Sequence, residues 1–296
     1  MIEPAIGVVT PDGVETSGAD PEGVYQIGSV TKVFTALLLA REVIDGRLTL
    51  ESRVGDLVPA LAEQPVGDVT LGALVTHTSG LPRVPPGMWR KMFNASGRNP
   101  YADIDEPALY AALGTVRLRS GARPAYSNLG FGLLGTALAR HLGRSYDEAV
   151  RERITGPLGM RQTRSHPDAH RPGHTRRGRV HRQVWTFDAM AGAGALWSSV
   201  ADLVVFVRAH LDPPADALGE AIRLTQQPLA RSGRMEQAMA WIRLSGKDGS
   251  LLWHNGGTAG FRSFVGVDVG RQRGVVVLGN TDRSVDRLGF RMVRVQ

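Results

Sequence analysis

The feature that most restricts the fold of this chain is a hydrophobic period that changes from two to about 3.6 and back again. Near the N-terminus, residues 5–10 and 14–17 are short β-rich segments on either side of Pro11-Asp12-Gly13, and they predict a β-hairpin. From Ser29 to Asp45 the apolar residues Val33, Leu37, Leu38 and Val43 fall at helical spacing and Gly46 follows as a stop, which predicts a helix with Ser29 in its first turn. The middle third reads as helical segments at 71–76, 106–113, 129–142 and 146–154, separated by Pro and Gly. Ser199-Val-Ala-Asp202 then supplies a capping start for a helix carrying Leu203, Phe206, Val207 and Leu211. Strand patterns return at 239–244, 251–254, 261–267 and 274–278, and 285–293 reads as a closing helix.

Strands at both ends with helices between them predict an α/β chain of the α+β type. One antiparallel sheet flanked by helices is built from residues 1–56 and 190–296, and 57–189 form a mostly helical insertion, with the active site at their junction. With 296 residues, 42% of them hydrophobic, the chain can bury the core that such a plan requires. The absence of cysteine excludes disulfides, thiolate metal sites and cysteine nucleophiles, so covalent chemistry must use Ser, Thr, Lys, Tyr or a carboxylate. No apolar stretch approaches the length of a membrane span, residues 33–40 being among the longest.

The formal charge of +7 raises the question of a nucleic-acid partner. Lys32, Lys91 and Lys247 are the only lysines, and every other one of the 35 basic residues is arginine, a bias of composition rather than a polybasic tail. The densest stretch, 161–182, mixes arginines with His166, His170, His174 and His181 but has no interleaved aromatic residues for base stacking. It reads as a solvated loop or hairpin, and no specific nucleic-acid partner is expected.

Three short motifs carry chemistry. Ser29-Val-Thr-Lys32 puts a hydroxyl and an amine at i and i+3, on one helix face about 5–6 Å apart at Cβ, where the amine can take up the hydroxyl proton. Tyr126-Ser127-Asn128 precedes a small-residue helix, and His254-Asn255-Gly256-Gly257 ends a strand. Each alone has an ordinary structural explanation: a serine N-cap beside a solvated lysine, a packed tyrosine at a helix entry, and a glycine-rich turn.

Taken in order, with the blocks YQIGSVTKVFTALLLA, LVTHTSGLP, YSNLGFGLLG, GPLGM and HNGGTAGFRSF, the chain resembles the penicillin-recognising serine hydrolases over nearly its whole length. The resemblance is to the class C β-lactamase-like branch, with its D,D-carboxypeptidases, esterases and D-amino-acid peptidases. It implies the β-lactamase/transpeptidase-like fold and two-step acyl transfer on a small-molecule or peptidoglycan-like substrate, with no metal or other cofactor. Ser29 would be the nucleophile and Lys32 and Tyr126 its proton carriers. The backbone N–H groups of Ser29 and Gly257 would form the oxyanion hole, Asn128 would orient an acyl amide, and His254, Asn255 and Gly256 would line the substrate site.

Two departures from the family pattern matter. Where many β-lactamases carry Lys-Thr-Gly, this chain has His254-Asn255-Gly256, so a substrate carboxylate would meet an imidazole only partly charged near neutrality, which favours peptidase or esterase chemistry. The sequence also begins almost at its first strand, without the family's N-terminal helix. Cytoplasmic residence is the expectation from this start, and a periplasmic one if the true start lies upstream. His77 reads as a hydrogen-bonded structural residue. The five tryptophans read mostly as packing, with Trp197 placed at the cleft by the Gly-rich run before it. The competing readings are a penicillin-binding or scaffold protein without turnover and a basic nucleic-acid binder.

Overall fold

The computed structural model of the protein describes residues 3–88, 99–120, 123–232, 235–246 and 249–294; Trp89, Lys91 and Lys247 lie outside them. Strand β1 (Ala5–Thr10) pairs antiparallel with β2 (Gly13–Gly18) in the hairpin expected at Pro11-Asp12. Strand β3 (Tyr25–Gln26) pairs with β4 (Trp197–Ser198) in a separate two-stranded sheet. Five strands from the last part of the chain, β5 (Ala230–Ser232), β6 (Met235–Gln237), β7 (Ile242–Gly246), β8 (Gly249–Thr258) and β9 (Phe261–Asp268), continue the large sheet, and β10 (Arg273–Gly279) pairs with both β9 and β1. The sheet order is β2-β1-β10-β9-β8-β7-β6-β5, so both chain ends build one sheet.

The period-two pattern of β10 explains how both faces of the sheet are covered. Val276 and Leu278 join the main core, whereas Val275 and Val277 join a second cluster with Val285 and Val293 at the C-terminal end of the chain. The helices, in chain order, are α1 (Thr31–Ile44), α2 (Val54–Leu57), α3 (Leu71–Val75), α4 (Glu106–Gly114), α5 (Asn128–Leu142), α6 (Tyr146–Val150), α7 (Ala191–Gly194), α8 (Val200–Leu211), α9 (Ala217–Thr225) and α10 (Asp286–Arg294). Among the described residues no helix is long and apolar enough to cross a membrane.

Helix α1 is buried on every side over its first ten residues, as a helix enclosed by sheet and neighbouring helices must be. It ends where expected, with Gly46 at φ +70° and the Arg47 N–H donating to the Glu42 carbonyl. Helix α5 starts on the Ser127 hydroxyl, which accepts from the Gly130 N–H at 2.9 Å, and stops at Gly143 with φ +61°.

Three local expectations need correction. Ser29 lies in a 3₁₀ turn, Gly28–Val30, and α1 begins only at Thr31. The segment expected as a helix over 146–154 is α-helical only to Val150, then widens into a π-type turn at Arg151–Thr155. The strand expected at 239–244 begins at Ile242, because Ala240 turns the chain at φ +63° while its N–H donates to the Val75 carbonyl.

Candidate active site

The turn that presents Ser29 is locked from three sides. The Ile27 N–H donates to the Leu196 carbonyl at 3.0 Å, and the Ile27 carbonyl accepts the Val30 N–H and the Ser263 hydroxyl of β9, the latter at 2.7 Å. Strand β8 crosses directly over this turn at Gly256. A Cβ there would lie 2.0 Å from the Ile27 carbonyl oxygen and 3.0 Å from the Ser29 nitrogen, so only glycine lets the two backbones approach this closely. Ser29 itself remains half-exposed among buried neighbours.

Lys32 is fully buried one turn along. Its Nζ lies 3.2 Å from Ser29 Oγ and 2.6 Å from the carbonyl oxygen of Ala193, the polar partners that the interior gives it. Desolvation of an ammonium outweighs these contacts, and with the nearby Arg83 charge it drives the Lys32 pKa well below the usual lysine value. A neutral amine has a lone pair, so the Ser29–Lys32 contact can carry the hydroxyl proton toward nitrogen.

Tyr126 completes the group. Its phenol lines the cleft beside Ser29, and burial raises its pKa to about 12, so it rests protonated. His77 fixes this tyrosine's backbone from both flanks: its carbonyl accepts the Ala125 N–H at 2.8 Å and its Nδ1 accepts the Ser127 N–H at 3.1 Å. The His77 ring lies 4.7 Å from the Tyr126 ring, and the residue adopts φ +61° to reach both. It is therefore the hydrogen-bonded structural residue expected from the sequence. Asn128, at the first turn of α5, donates from Nδ2 to the Tyr101 hydroxyl at 2.9 Å, and its buried Oδ1 has no protein partner.

His254 stands beside this group, with its ring 6.4 Å from that of Tyr126, but its charge is not the one expected. Burial, and then the charge that Lys32 would carry, lower its pKa to about 3, so the imidazole is neutral rather than partly protonated near neutrality. Nδ1–H donates to the Asn255 carbonyl at 2.7 Å, which leaves the buried Nε2 with a free lone pair. The Asn255 side chain donates to Asp286 Oδ2 at 3.0 Å, placing a carboxylate at the edge of the cleft.

The cleft in front of Ser29 has a volume of about 750 Å³ and draws its walls from all three motifs. Ser29 comes from the N-terminal part of the chain, His254, Asn255, Gly256 and Gly257 from strand β8 of its C-terminal part, and Tyr126, Asn128, Tyr101 and Arg83 from between 57 and 189. Sequence reading missed Arg83, Tyr101, Trp185, Arg262, Asp282 and Asp286. Arg83 directly follows LVTHTSGLP and Arg262 lies within HNGGTAGFRSF, the available signals, whereas Tyr101, Trp185, Asp282 and Asp286 lie outside the quoted blocks. Trp197 is corrected: it is 3% exposed, packs between His170 and Phe261, and does not line this cleft, whereas Trp185 does. In the arginine- and histidine-rich loop, His174 and His181 are spent on hydrogen bonds to the Asn280 carbonyl and to Asp282.

The family model described as Beta-lactamase matches residues 6–293. The chain belongs to that family. It is similar to the D-alanyl-D-alanine-carboxypeptidase/endopeptidase AmpH of Escherichia coli K12, 28% identical over 268 residues that cover 82% of this chain and 67% of that protein. It is also similar to penicillin-binding protein 4 of Amycolatopsis lactamdurans, at 31% identity over 64% of this chain and 51% of that one. The fold is that of the class C β-lactamase of Rhodobacter sphaeroides, with a TM-score of 0.83 over 96% of this chain and 90% of the other at 23% identity. Family membership makes the chain a hydrolase of the serine acyl-hydrolase type.

Proposed function

We propose that Ser29 is the nucleophile of a covalent acyl transfer to water, with a lactam, a D-amino-acid peptide or an ester as acyl donor. The observation that carries this reading is the 3.2 Å contact of Ser29 Oγ with the buried Lys32 Nζ, in a cleft that Tyr126 also lines. Burial shifts Lys32 toward its neutral form, which can accept, and holds Tyr126 protonated, so that it can donate.

In the first step Ser29 Oγ bonds to the carbonyl carbon as its proton passes to Lys32 Nζ. The carbonyl oxygen becomes an oxyanion between the N–H groups of Ser29 and Gly257, whose close approach is supported by the glycine contact at 256. Collapse breaks the bond to the leaving group, which takes its proton through Tyr126, and the phenol is resupplied from Lys32. A water then attacks the ester at Ser29, gives its proton along the same path, and releases the acid. Asn128, with its unpartnered Oδ1 and its Nδ2 held by Tyr101, faces the acyl part of the donor and orients an amide there.

The test is intact-mass spectrometry after incubation with a fluorophosphonate, penicillins, D-Ala-D-Ala peptides and p-nitrophenyl esters. A single adduct that maps to Ser29 and is lost in Ser29→Ala supports the mechanism. Turnover that persists in Ser29→Ala refutes it, and a permanent adduct without turnover returns the chain to the penicillin-binding reading.

A further inference from the structure

The charged groups along the cleft do not match a site that receives a carboxylate beside His254. Lys32 is fully buried with its Nζ spent on Ser29 and the Ala193 carbonyl, and His254 is buried with its pKa lowered to about 3, so neither offers an accessible cation to substrate. Arg262 is already committed: its guanidinium donates to the Thr258 and Phe261 carbonyls at 2.7 and 2.6 Å and pairs with Asp282 at 3.3 Å. Asp282 in turn accepts from the Gly260 N–H and holds His181 at 2.8 Å. On the Asn255 side the remaining charge is the carboxylate of Asp286.

Arg83 is different. It is exposed, lines the cleft, and holds its guanidinium carbon 4.9 Å from the centre of the Tyr126 ring. Among the described residues no carboxylate lies within ion-pair reach of it, and the sequence has no acidic residue between Asp68 and Asp103. Its position is fixed through the backbone, since its carbonyl accepts the Asn128 N–H at 2.8 Å and so ties Arg83 to the first turn of α5. A planar cation resting on an aromatic face, with its N–H edge free, suits bidentate capture of a carboxylate or another planar oxyanion.

We infer that Arg83 is the anion anchor of this cleft and that the chain selects acyl donors carrying an anionic group on the acyl side, paired with an uncharged or cationic leaving group. The inference rests on the proposed acyl transfer, in which Asn128 and its neighbour Arg83 face the acyl part. It assigns the opposite flank, with neutral His254 and the Asp286 carboxylate, to the leaving group. A carboxylate there would meet an acid where a cation would be needed.

The experiment compares kcat/KM for p-nitrophenyl monoglutarate, which carries a carboxylate on its acyl chain, with p-nitrophenyl valerate, which has an uncharged acyl chain of the same carbon number. A second comparison moves the carboxylate to the leaving group, with 3-carboxy-4-nitrophenyl valerate. The wild-type protein should prefer the monoglutarate, and Arg83→Gln should lower the monoglutarate-to-valerate ratio by roughly five- to thirtyfold, a charge-assisted contact discounted for its exposure. Arg83→Lys should restore part of the ratio, and added salt should weaken the wild-type preference. Because Arg83 also bears on the proton affinity of Lys32 and Tyr126, its loss changes both esters together, and the ratio isolates the acyl carboxylate. An unchanged ratio in Arg83→Gln, or a wild-type preference for the carboxylate on the leaving group, overturns the inference. Fluorophosphonate labelling of Ser29 reports separately on the acyl-transfer reading, so either can fail alone.

Discussion

The neutrality of His254 decides the charge of the cleft, and it can be measured without any substrate. His254 and His210 are both buried, with pKa values lowered to about 3 and about 4 mainly by desolvation. The unfolded chain protonates each near pH 6.5 while the native state does not. The unfolded state therefore binds more protons in this window, and stability falls as pH falls from about 6.5 toward the native values. Between pH 7 and pH 5 the linkage amounts to about 2 kcal/mol for each ring, or about 4 kcal/mol for the pair, against a typical domain stability of about 5–15 kcal/mol. His77, lowered by burial and then by Lys32, acts in the same direction.

Urea unfolding at pH 7 and pH 5 reads the effect, in a window above the ordinary carboxylate range. Asparagine in place of either ring keeps a donor near Nδ1 and has nothing to titrate, so His254→Asn and His210→Asn should each lose about 2 kcal/mol less than the wild type between the two pH values. Should His254→Asn lose as much as the wild type to within about 0.5 kcal/mol, the imidazole is already protonated in the native state. The charge accounting that singles out Arg83 would then fall with it.

The other expectations concern the reaction itself. Ser29→Ala should retain the wild-type unfolding midpoint to within a few degrees by circular dichroism and lose adduct formation by intact mass, and Lys32→Met should cost nearly as much turnover, since members of one catalytic unit are not additive. With a neutral ester as substrate, kcat/KM should rise with pH as Lys32 loses its proton, on a limb lying well below the usual lysine range. Tyr126→Phe, which keeps the ring against His77, should reduce kcat by roughly 10²–10⁴-fold, and a loss under about threefold would leave the phenol without a proton-carrying role. Gly256→Ala drives a methyl into the Ile27 carbonyl and against the Ser29 nitrogen, so thermal stability and acylation rate should fall together; an alanine variant with wild-type labelling kinetics would remove Gly256 from the support of the Ser29 turn.

The sequence alone carried what depends on period and on neighbours close along the chain. The alternating pattern of β10, the hairpin turn before Gly13, the helical period of α1 and the Ser29–Lys32 pair at i and i+3 are local patterns, and local backbone geometry turns them directly into elements and contacts. The three motifs that meet at the cleft were legible as well, because each is short and contiguous. Burial is a property of the assembled fold, and there the sequence ran out. Nothing in His254-Asn255-Gly256 indicates that the imidazole is enclosed and neutral, and nothing in the chain around Arg262 shows that Asp282 and two carbonyls occupy it. Trp185 and Trp197 are alike in sequence, yet the first lines the cleft and the second fills the core, since β3–β4 pairing carries Trp197 inward. Tertiary structure decided the charge of the site because desolvation and ion pairing act through space, whatever the separation of the residues along the chain.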